Sequence, residues 1–488
     1  MNISSVVRPW AAGLGVVCAI GFSGNSVAAT KRATSISAHP EILEITPTHV
    51  HLRMKANLNA TNPTQPLAGR TVSFSAPKGV PLCAAVTDAT GTAACGNVLT
   101  FLRTTLNLGY VASFAGDAAD LPSSVSGGLI GNAVTATSAP PSATIGHVFV
   151  VILENESYAS SFQPPSPTYL SSTLPAQGAL LTSYYGIGHV SNDNYIAMVS
   201  GQGPNALTQS DCIAFVNFVG SGPIAALDNQ AVGQGCVYPA NVPNVTDQLR
   251  AKGLTWKAYM EDMGNTPSRE SATCGHPALN SQDGTQSATA QDSYATRHNP
   301  FAYFHSIIDD AAYCNQHVVN LSPLQSDLAS IATTPNFVFI SPSLCHDGHD
   351  APCANGEPGG LTSINTFLPG LVHTIVSSPA FQQDGLLIVT FDEGAVTDAS
   401  ACCGETAGPN SPLPGITGLG GGLTGAVLLS PFITPGTVSS TAYNHYSMLR
   451  SIEDLLGLRY LGYAGASAQA SFGPDVFTAA MPQFPPKN

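Results

Sequence analysis

Two strongly apolar runs far apart in the chain, His147–Leu153 (HVFVVIL) and Leu386–Phe391 (LLIVTF), each end in a polar pair, Glu154-Asn155 and Asp392-Glu393. Runs of this length without polar alternation read as strands buried on both faces, the pattern of a parallel sheet flanked by helices. Ligands in open α/β sheets collect at the carboxyl ends of strands, so these polar side chains are expected to converge on one cation. The remaining candidate strands, Thr255–Tyr259, Asn336–Ser341 and Ala426–Ser430, alternate with helices around Tyr195–Ser200, Asn244–Lys252 and Tyr446–Leu456, which extends the α/β reading. The glycine-rich segment after Gly408 reads as loop. Its GLGGG run neither follows a strand nor opens a helix, so no dinucleotide site is expected.

Residues 135–146, rich in Ala, Pro, Ser and Thr, read as a linker between two domains. Before it, over residues 30–134, short segments such as Val50–Leu58, Thr71–Ser75 and Tyr110–Phe114 are separated by turn residues, the pattern of a small β-sandwich. After it, residues 147–488 hold the α/β pattern and every candidate for chemistry. At the start, Arg8, the apolar stretch from Trp10 to about Phe22 and the small residues Ser26-Val27-Ala28-Ala29 match a signal peptide over residues 1–29, cleaved near Ala28 or Ala29. A membrane anchor competes with that reading, but the apolar part is short and no later uninterrupted stretch of ~20 apolar residues follows. The mature protein is therefore expected to be soluble, and secreted or periplasmic.

Of eleven cysteines, Cys18 falls in the signal and ten remain, an even number that favours disulfides in an exported chain. Cys83 to Cys95 and Cys212 to Cys236 are plausible short closures. The adjacent Cys402-Cys403 are expected to reach two different partners. No CxxC pair supports a cysteine metal site. The formal net charge of −14 argues against nucleic acid and against electrostatic adhesion to anionic membranes, so a phosphate group must be held locally, by a metal and aimed donors.

A third element is His189–Gly201 (HVSNDNYIAMVSG). Ser191 falls where a loop turns into a helix, a place that favours an anion. A serine hydroxyl needs help to act as a nucleophile, and coordination to a divalent metal supplies it. Glu154, Asn155, Asp392 and Glu393 would complete an oxygen-rich shell, and Asn194, one turn beyond Ser191, could donate to a phosphoryl oxygen. Ordinary helix capping is the competing reading of both Ser191 and Asn194. The CHDGHD turn, residues 345–350, carries two imidazoles directly after a candidate strand, so His346 and His349 read as site residues. Lys257 is a secondary candidate for phosphate, or a surface lysine.

The residues 154–158, 191–201, 256–261, 297–301, 345–350, 391–394 and 443–447 occur in an order that resembles the bacterial phosphoesterase family of secreted acid phosphatases and phospholipases C, within the alkaline phosphatase-like superfamily. That resemblance implies Ser191 as nucleophile, a metal held by Glu154, Asn155, Ser191, Asp392 and Glu393, and His298 and His349 facing the phosphoryl group. It also implies substrate contacts from His445 and Asp350. The chain departs from the pattern at Asn192-Asp193 and at His346, where asparagine is expected. The metal is left open among calcium, magnesium, manganese, zinc and iron. The implied activity is an acid phosphatase cleaving phosphate monoesters. The alternatives are a phospholipase C acting on a phospholipid headgroup and a non-catalytic adhesin. The first domain resembles bacterial immunoglobulin-like modules, which implies a spacer or a surface-binding role.

Overall fold

A computed structural model of the chain describes residues 31–45, 49–75, 81–101, 110–127, 134–137 and 144–487. The expected signal peptide, with Arg8, Cys18 and the cleavage site near Ala28 or Ala29, lies outside the described residues, as does the middle of the expected linker.

The first unit comprises β1 (Thr34–Ile45), β2 (His49–Thr61), β3 (Thr64–Pro66), β4 (Thr71–Ser75), β5 (Pro81–Val86), β6 (Thr92–Phe101), β7 (Tyr110–Phe114), β8 (Ser123–Gly127) and β9 (Val134–Thr137). They form two antiparallel sheets, one ordered β3-β2-β1-β9 with β6 also on β2, the other β5-β4-β7-β8. Alternation puts Val72 and Phe74 of β4 and Tyr110, Ala112 and Phe114 of β7 on one inward face, against Ile36, Met54 and Leu58. The Cys83–Cys95 disulfide ties β5 in one sheet to β6 in the other. β9 takes in residues 135–137, which the sequence places in the linker. They pair with β1 across Ser35–Ser37, so the strand runs past the expected boundary.

The second unit is built on an eight-stranded sheet. Its strands are β10 (His147–Leu153), β11 (Ala179–Leu181), β12 (Trp256–Met260), β13 (Val318–Asn320), β14 (Phe337–Ser341), β15 (Gly385–Phe391), β16 (Ala426–Leu429) and β17 (Thr437–Ser439). Their order is β13-β12-β14-β10-β15-β16-β11-β17. β10 lies between β14 and β15, parallel to both, with Leu153 opposite Phe391. Every residue of β10 and β15 is buried, which explains the unbroken apolar runs.

Even-numbered residues Val148, Val150, Ile152, Leu386 and Ile388 pack with α1 (Ser191–Ser200), α2 (Val245–Lys252) and α4 (His445–Leu455). Odd-numbered Phe149, Val151, Leu153, Leu387 and Val389 pack on α3 (Gly360–Val376). Each such side chain contributes about 1.5–3 kcal/mol on burial, so the two faces anchor the ends of β10 and β15 firmly. α2 opens on a capping box between Asn244 and Asp247 and stops at Gly253, in the left-handed region at φ 75°. α3, which the sequence does not suggest, carries Pro369 in its interior.

Two expectations are corrected. The sheet is mixed, not wholly parallel. The chain leaves β15 at Phe391 and returns through a long loop without a crossover helix, so β16 re-enters from the same end and runs antiparallel to β15. The adjacent Cys402 and Cys403 bond to each other rather than to two partners, alongside Cys212–Cys236, Cys274–Cys314 and Cys345–Cys353. Among the described residues no helix is long and apolar enough to cross a membrane.

Candidate active site

Side-chain alternation along β10 and β15 carries one residue past the strand ends to Glu154 and Asp392, both even-numbered, both on the α1 side and both fully buried. The two meet at the seam, where the Asp392 amide donates to Leu153 O at 2.9 Å and the Asn155 amide to Asp392 Oδ1 at 3.0 Å. Asn155 makes that turn in the left-handed region, at φ 58°.

α1 delivers the hydroxyl. Its N-cap is Val190, with no side-chain cap, so Ser191 is the first helical residue and not a capping residue. Ser191 Oγ instead donates to Glu154 Oε2 at 2.8 Å, and Tyr195 Oη, one turn on, donates to Glu154 Oε1 at 2.7 Å. At the other end Gly201 caps the helix at φ 67°, where an added Cβ would stand 2.2 Å from Leu461 O; only glycine fits. Asn194 is committed elsewhere. Its Oδ1 accepts from the Ile187 and Gly188 amides at 2.7 and 3.0 Å and its Nδ2 donates to Gly188 O and Val190 O, so it fixes the turn into α1 rather than facing a phosphoryl oxygen.

His298 and the CHDGHD turn close the other side. His298 Nδ1 lies 3.1 Å from Asp347 Oδ2, and its Nε2 stands 3.3 Å from Glu154 Oε1 without hydrogen-bond alignment. Burial, then the Arg297 and His349 charges, hold His298 well below the usual histidine range. His349 is partly exposed, with Nδ1 on Asp350 at 2.8 Å and Nε2 accepting from Arg297 Nη2 at 3.0 Å. Arg297 is itself buried, beside Asp211, and its Nε has no hydrogen-bond partner among the described residues.

The acids form one charged nest. Burial, and next the Asp392 and Asp347 charges, push the Glu154 carboxyl well above the usual range; burial likewise raises Asp347, Asp193 and Glu393. Asp392 is pushed up to about 8 by burial and then by Glu393. Glu393 pairs with His189, whose ring burial would make less basic but whose bond to Glu393 makes more basic overall. The test for a cation is what these groups lack. Among the described residues Asp392 Oδ2, Asp193 Oδ2 and His298 Nε2 are buried without hydrogen-bond partners, and ligand atoms of Glu154, His298 and Asp347 lie within 4.8 Å of one another. An oxygen-rich set with one imidazole fits a divalent cation.

The remaining expected site residues fall outside this nest. His346 stacks on Phe367 at 4.6 Å and bridges Glu261 and Glu357 at 2.9 and 3.5 Å. Neighbouring Cys345 offers no metal ligand there, because its sulfur is bonded to Cys353. Lys257 is held by Asp327 at 2.7 Å, as a structural lysine would be. His445 is fully buried between Tyr184 Oη and the backbone carbonyl of Asp392, behind the ligand and not in front of it. The sequence reading missed Tyr195, Asp193, His189, Asp211 and Arg297 as site residues, and took Asp347 only as one of the two carboxylates of the CHDGHD turn. Tyr195 follows Ser191 by one helical turn, and that i, i+4 spacing is the signal that could have found it.

Known proteins match the chain across this region. The profile of the Phosphoesterase family covers residues 160–459, more than half of the chain. A probable acid phosphatase of Kluyveromyces lactis is 28% identical over 315 residues, 64% of this chain and 59% of the relative. A phosphate-repressible acid phosphatase of Penicillium chrysogenum is 26% identical over 303 residues, 62% of this chain and 58% of the relative. A phosphatidylinositol-3-phosphatase of Mycobacterium tuberculosis is 23% identical over 329 residues, 67% of this chain and 82% of the relative. The chain thus spans under three fifths of the length of the two fungal relatives.

Proposed function

Because the chain belongs to the Phosphoesterase family, we propose that it is an exported acid phosphatase-like enzyme that cleaves phosphate monoesters through a phosphoserine at Ser191. The observation that carries this reading is the Ser191 hydroxyl, set at the N-terminus of α1 and held at 2.8 Å by Glu154 within the carboxylate nest.

A divalent cation bound by Glu154, Asn155, Ser191, Asp392 and Glu393, with Asp347 and His298 adjoining, would lower the pKa of the hydroxyl and offset phosphoryl charge. Calcium, magnesium, manganese, zinc and iron all suit that donor set. Ser191 Oγ attacks phosphorus in line, and Glu154 Oε2, already its hydrogen-bond acceptor, takes the proton. Arg297 offsets charge on the equatorial oxygens, where electrostatics and positioning contribute most. His349, held by Asp350 at Nδ1 and by Arg297 at Nε2, fixes the Arg297 guanidinium. The leaving alkoxide takes a proton from solvent, water then attacks phosphorus from the vacated side and loses a proton to solvent, and Glu154 returns the first proton to Ser191. Ten cysteines in five disulfides fit an oxidising compartment. The N-terminal sandwich serves as an immunoglobulin-like spacer or surface-binding module.

A lipid substrate is the second reading, either a phosphoinositide or the diester of a phospholipase C. Val396, Leu413, Ile416 and Leu419 favour it, because they are exposed on the loop that runs from Glu393 back to β16. The deciding experiment measures hydrolysis of a chromogenic phosphomonoester by wild type and Ser191→Ala, from acidic to alkaline pH, after metal stripping and re-addition. A metal-dependent rate that falls at least about 10³-fold in the variant supports the proposal. Equal turnover in both proteins removes Ser191 as nucleophile, and turnover only on lipid vesicles selects the second reading.

A further inference from the structure

A small cavity of about 80 Å³ opens beside the turn that leads into α1. Its walls include Glu405, Tyr446, Tyr463, the Cys402–Cys403 disulfide through Cys403, and Ile187 and Pro414. Ile187 lies in the turn into α1, its amide donating to Asn194 Oδ1, and Pro414, on the loop before β16, accepts from the His189 amide of that turn.

The lining has one sign of charge. Glu405 is half-buried, accepting from Asn444 Nδ2 and, at 3.1 Å, from the Cys402 amide, and no ion pair reaches it among the described residues. Asp228 stands exposed among the lining residues, and no lysine, arginine or histidine lines the cavity. Without a cation nearby, burial pushes the Glu405 carboxyl up to about 8. The rings of Tyr446 and Tyr463 meet at 67° with centroids 5.4 Å apart, forming an aromatic corner beside the carboxylate. An aromatic face next to an acid selects a cation of low hydration, and alkylammonium groups meet that description where sodium and magnesium do not. At roughly 15 Å³ of such volume per water-sized group, the space takes about five non-hydrogen atoms, the size of a methylated ammonium head.

We infer that this cavity is a binding site for a small organic ammonium ion, held by the Glu405 carboxylate and the Tyr446 and Tyr463 rings. The ammonium group comes either from a free amine or from the alcohol half of a phosphoester.

Titration calorimetry with tetramethylammonium chloride against the full chain at about pH 9, above the Glu405 pKa, tests this, and needs no turnover, so its failure is separable from failure of the hydrolase reading. Saturable one-to-one binding is expected, weakened at least about tenfold in Glu405→Gln and in Tyr463→Leu. The neutral isostere 3,3-dimethylbutanol is expected to bind at least about tenfold more weakly than the cation. That contrast needs no variant, so the test stands even if a substitution impairs folding, which circular dichroism checks. No saturable binding, equal binding of the neutral isostere, or unchanged binding in both folded variants would overturn the assignment. The source is read kinetically. An ammonium carried on the substrate makes tetramethylammonium raise KM for phosphocholine and not for phenyl phosphate, and a free amine leaves both KM values unchanged.

Discussion

Replacing Asp392 with asparagine should make the metal-free protein more stable while abolishing its activity. In the folded state Asp392 is fully buried, Oδ1 accepts the Asn155 amide, and Oδ2 has no partner. Burial and then Glu393 raise its pKa from an ordinary 3.8 to about 8. The folded protein therefore keeps a proton that the unfolded chain releases above 3.8, and its metal-free stability falls as pH climbs from that value towards 8. At pH 7 the interval is about three pH units, worth about 4 kcal/mol at 1.36 kcal/mol each. Asparagine has the same shape, keeps the acceptor for Asn155 and carries no such penalty. Metal-stripped Asp392→Asn should gain about 2–4 kcal/mol at pH 7. With an unfolding entropy of about 0.7 kcal/mol/K for residues 147–488, Tm rises by roughly 3–6 °C. Thermal unfolding at pH 7 and pH 4.5 measures both the gain and its loss at low pH. Re-adding a divalent cation should raise Tm for wild type and not for the variant. A variant that melts at or below wild type at pH 7, or a gain equal at both pH values, would refute the argument that these acids are mutually destabilising without a cation.

Two other outcomes follow from particular contacts. Lys257→Ala should leave kcat/KM within about twofold of wild type, because the ammonium is spent on Asp327, and a larger loss in a steady-state assay would return it to the site. His445 has its pKa lowered from 6.5 to about 4, chiefly by burial, so the stability tied to its neutral form is whole above pH 6.5 and lost as pH falls towards 4. The stability gap between wild type and His445→Asn, from denaturant titration, should shrink by about 3 kcal/mol between pH 7 and pH 4, and a constant gap would contradict this.

The strand ends were the most legible part of the sequence. Buried strands such as His147–Leu153 and Phe337–Ser341 announce themselves by unbroken apolar residues, and the residue after each is placed by alternation alone. Strand direction was less so: nothing in Ala426–Leu429 distinguishes a parallel from an antiparallel neighbour, because burial on both faces writes the same pattern. α3 was hidden by Gly360, Pro369 and Gly370, residues that read as breakers until the packing of Ile364, Leu368 and Val372 outweighs propensity. Within the site, Ser191 and Glu154 were recoverable because both sit at element ends. Asp211, Arg297 and His189 lie in loops, where only the folded chain reveals which charge faces which.

All ten residues of α1 are buried, so it has no solvent-facing side. Such a helix cannot fray or open on its own without exposing the central core, and its amides should exchange with solvent only when the whole unit of residues 147–488 unfolds. The serine is thereby fixed by the same packing that holds the sheet, and its position is inherited from the core rather than set by a movable loop. The loop between Glu393 and β16 shares that constraint where it meets the turn into α1, because Pro414 O accepts from the His189 amide and Asp398 O meets His189 Nε2, so sequence is free to change only on its exposed stretches.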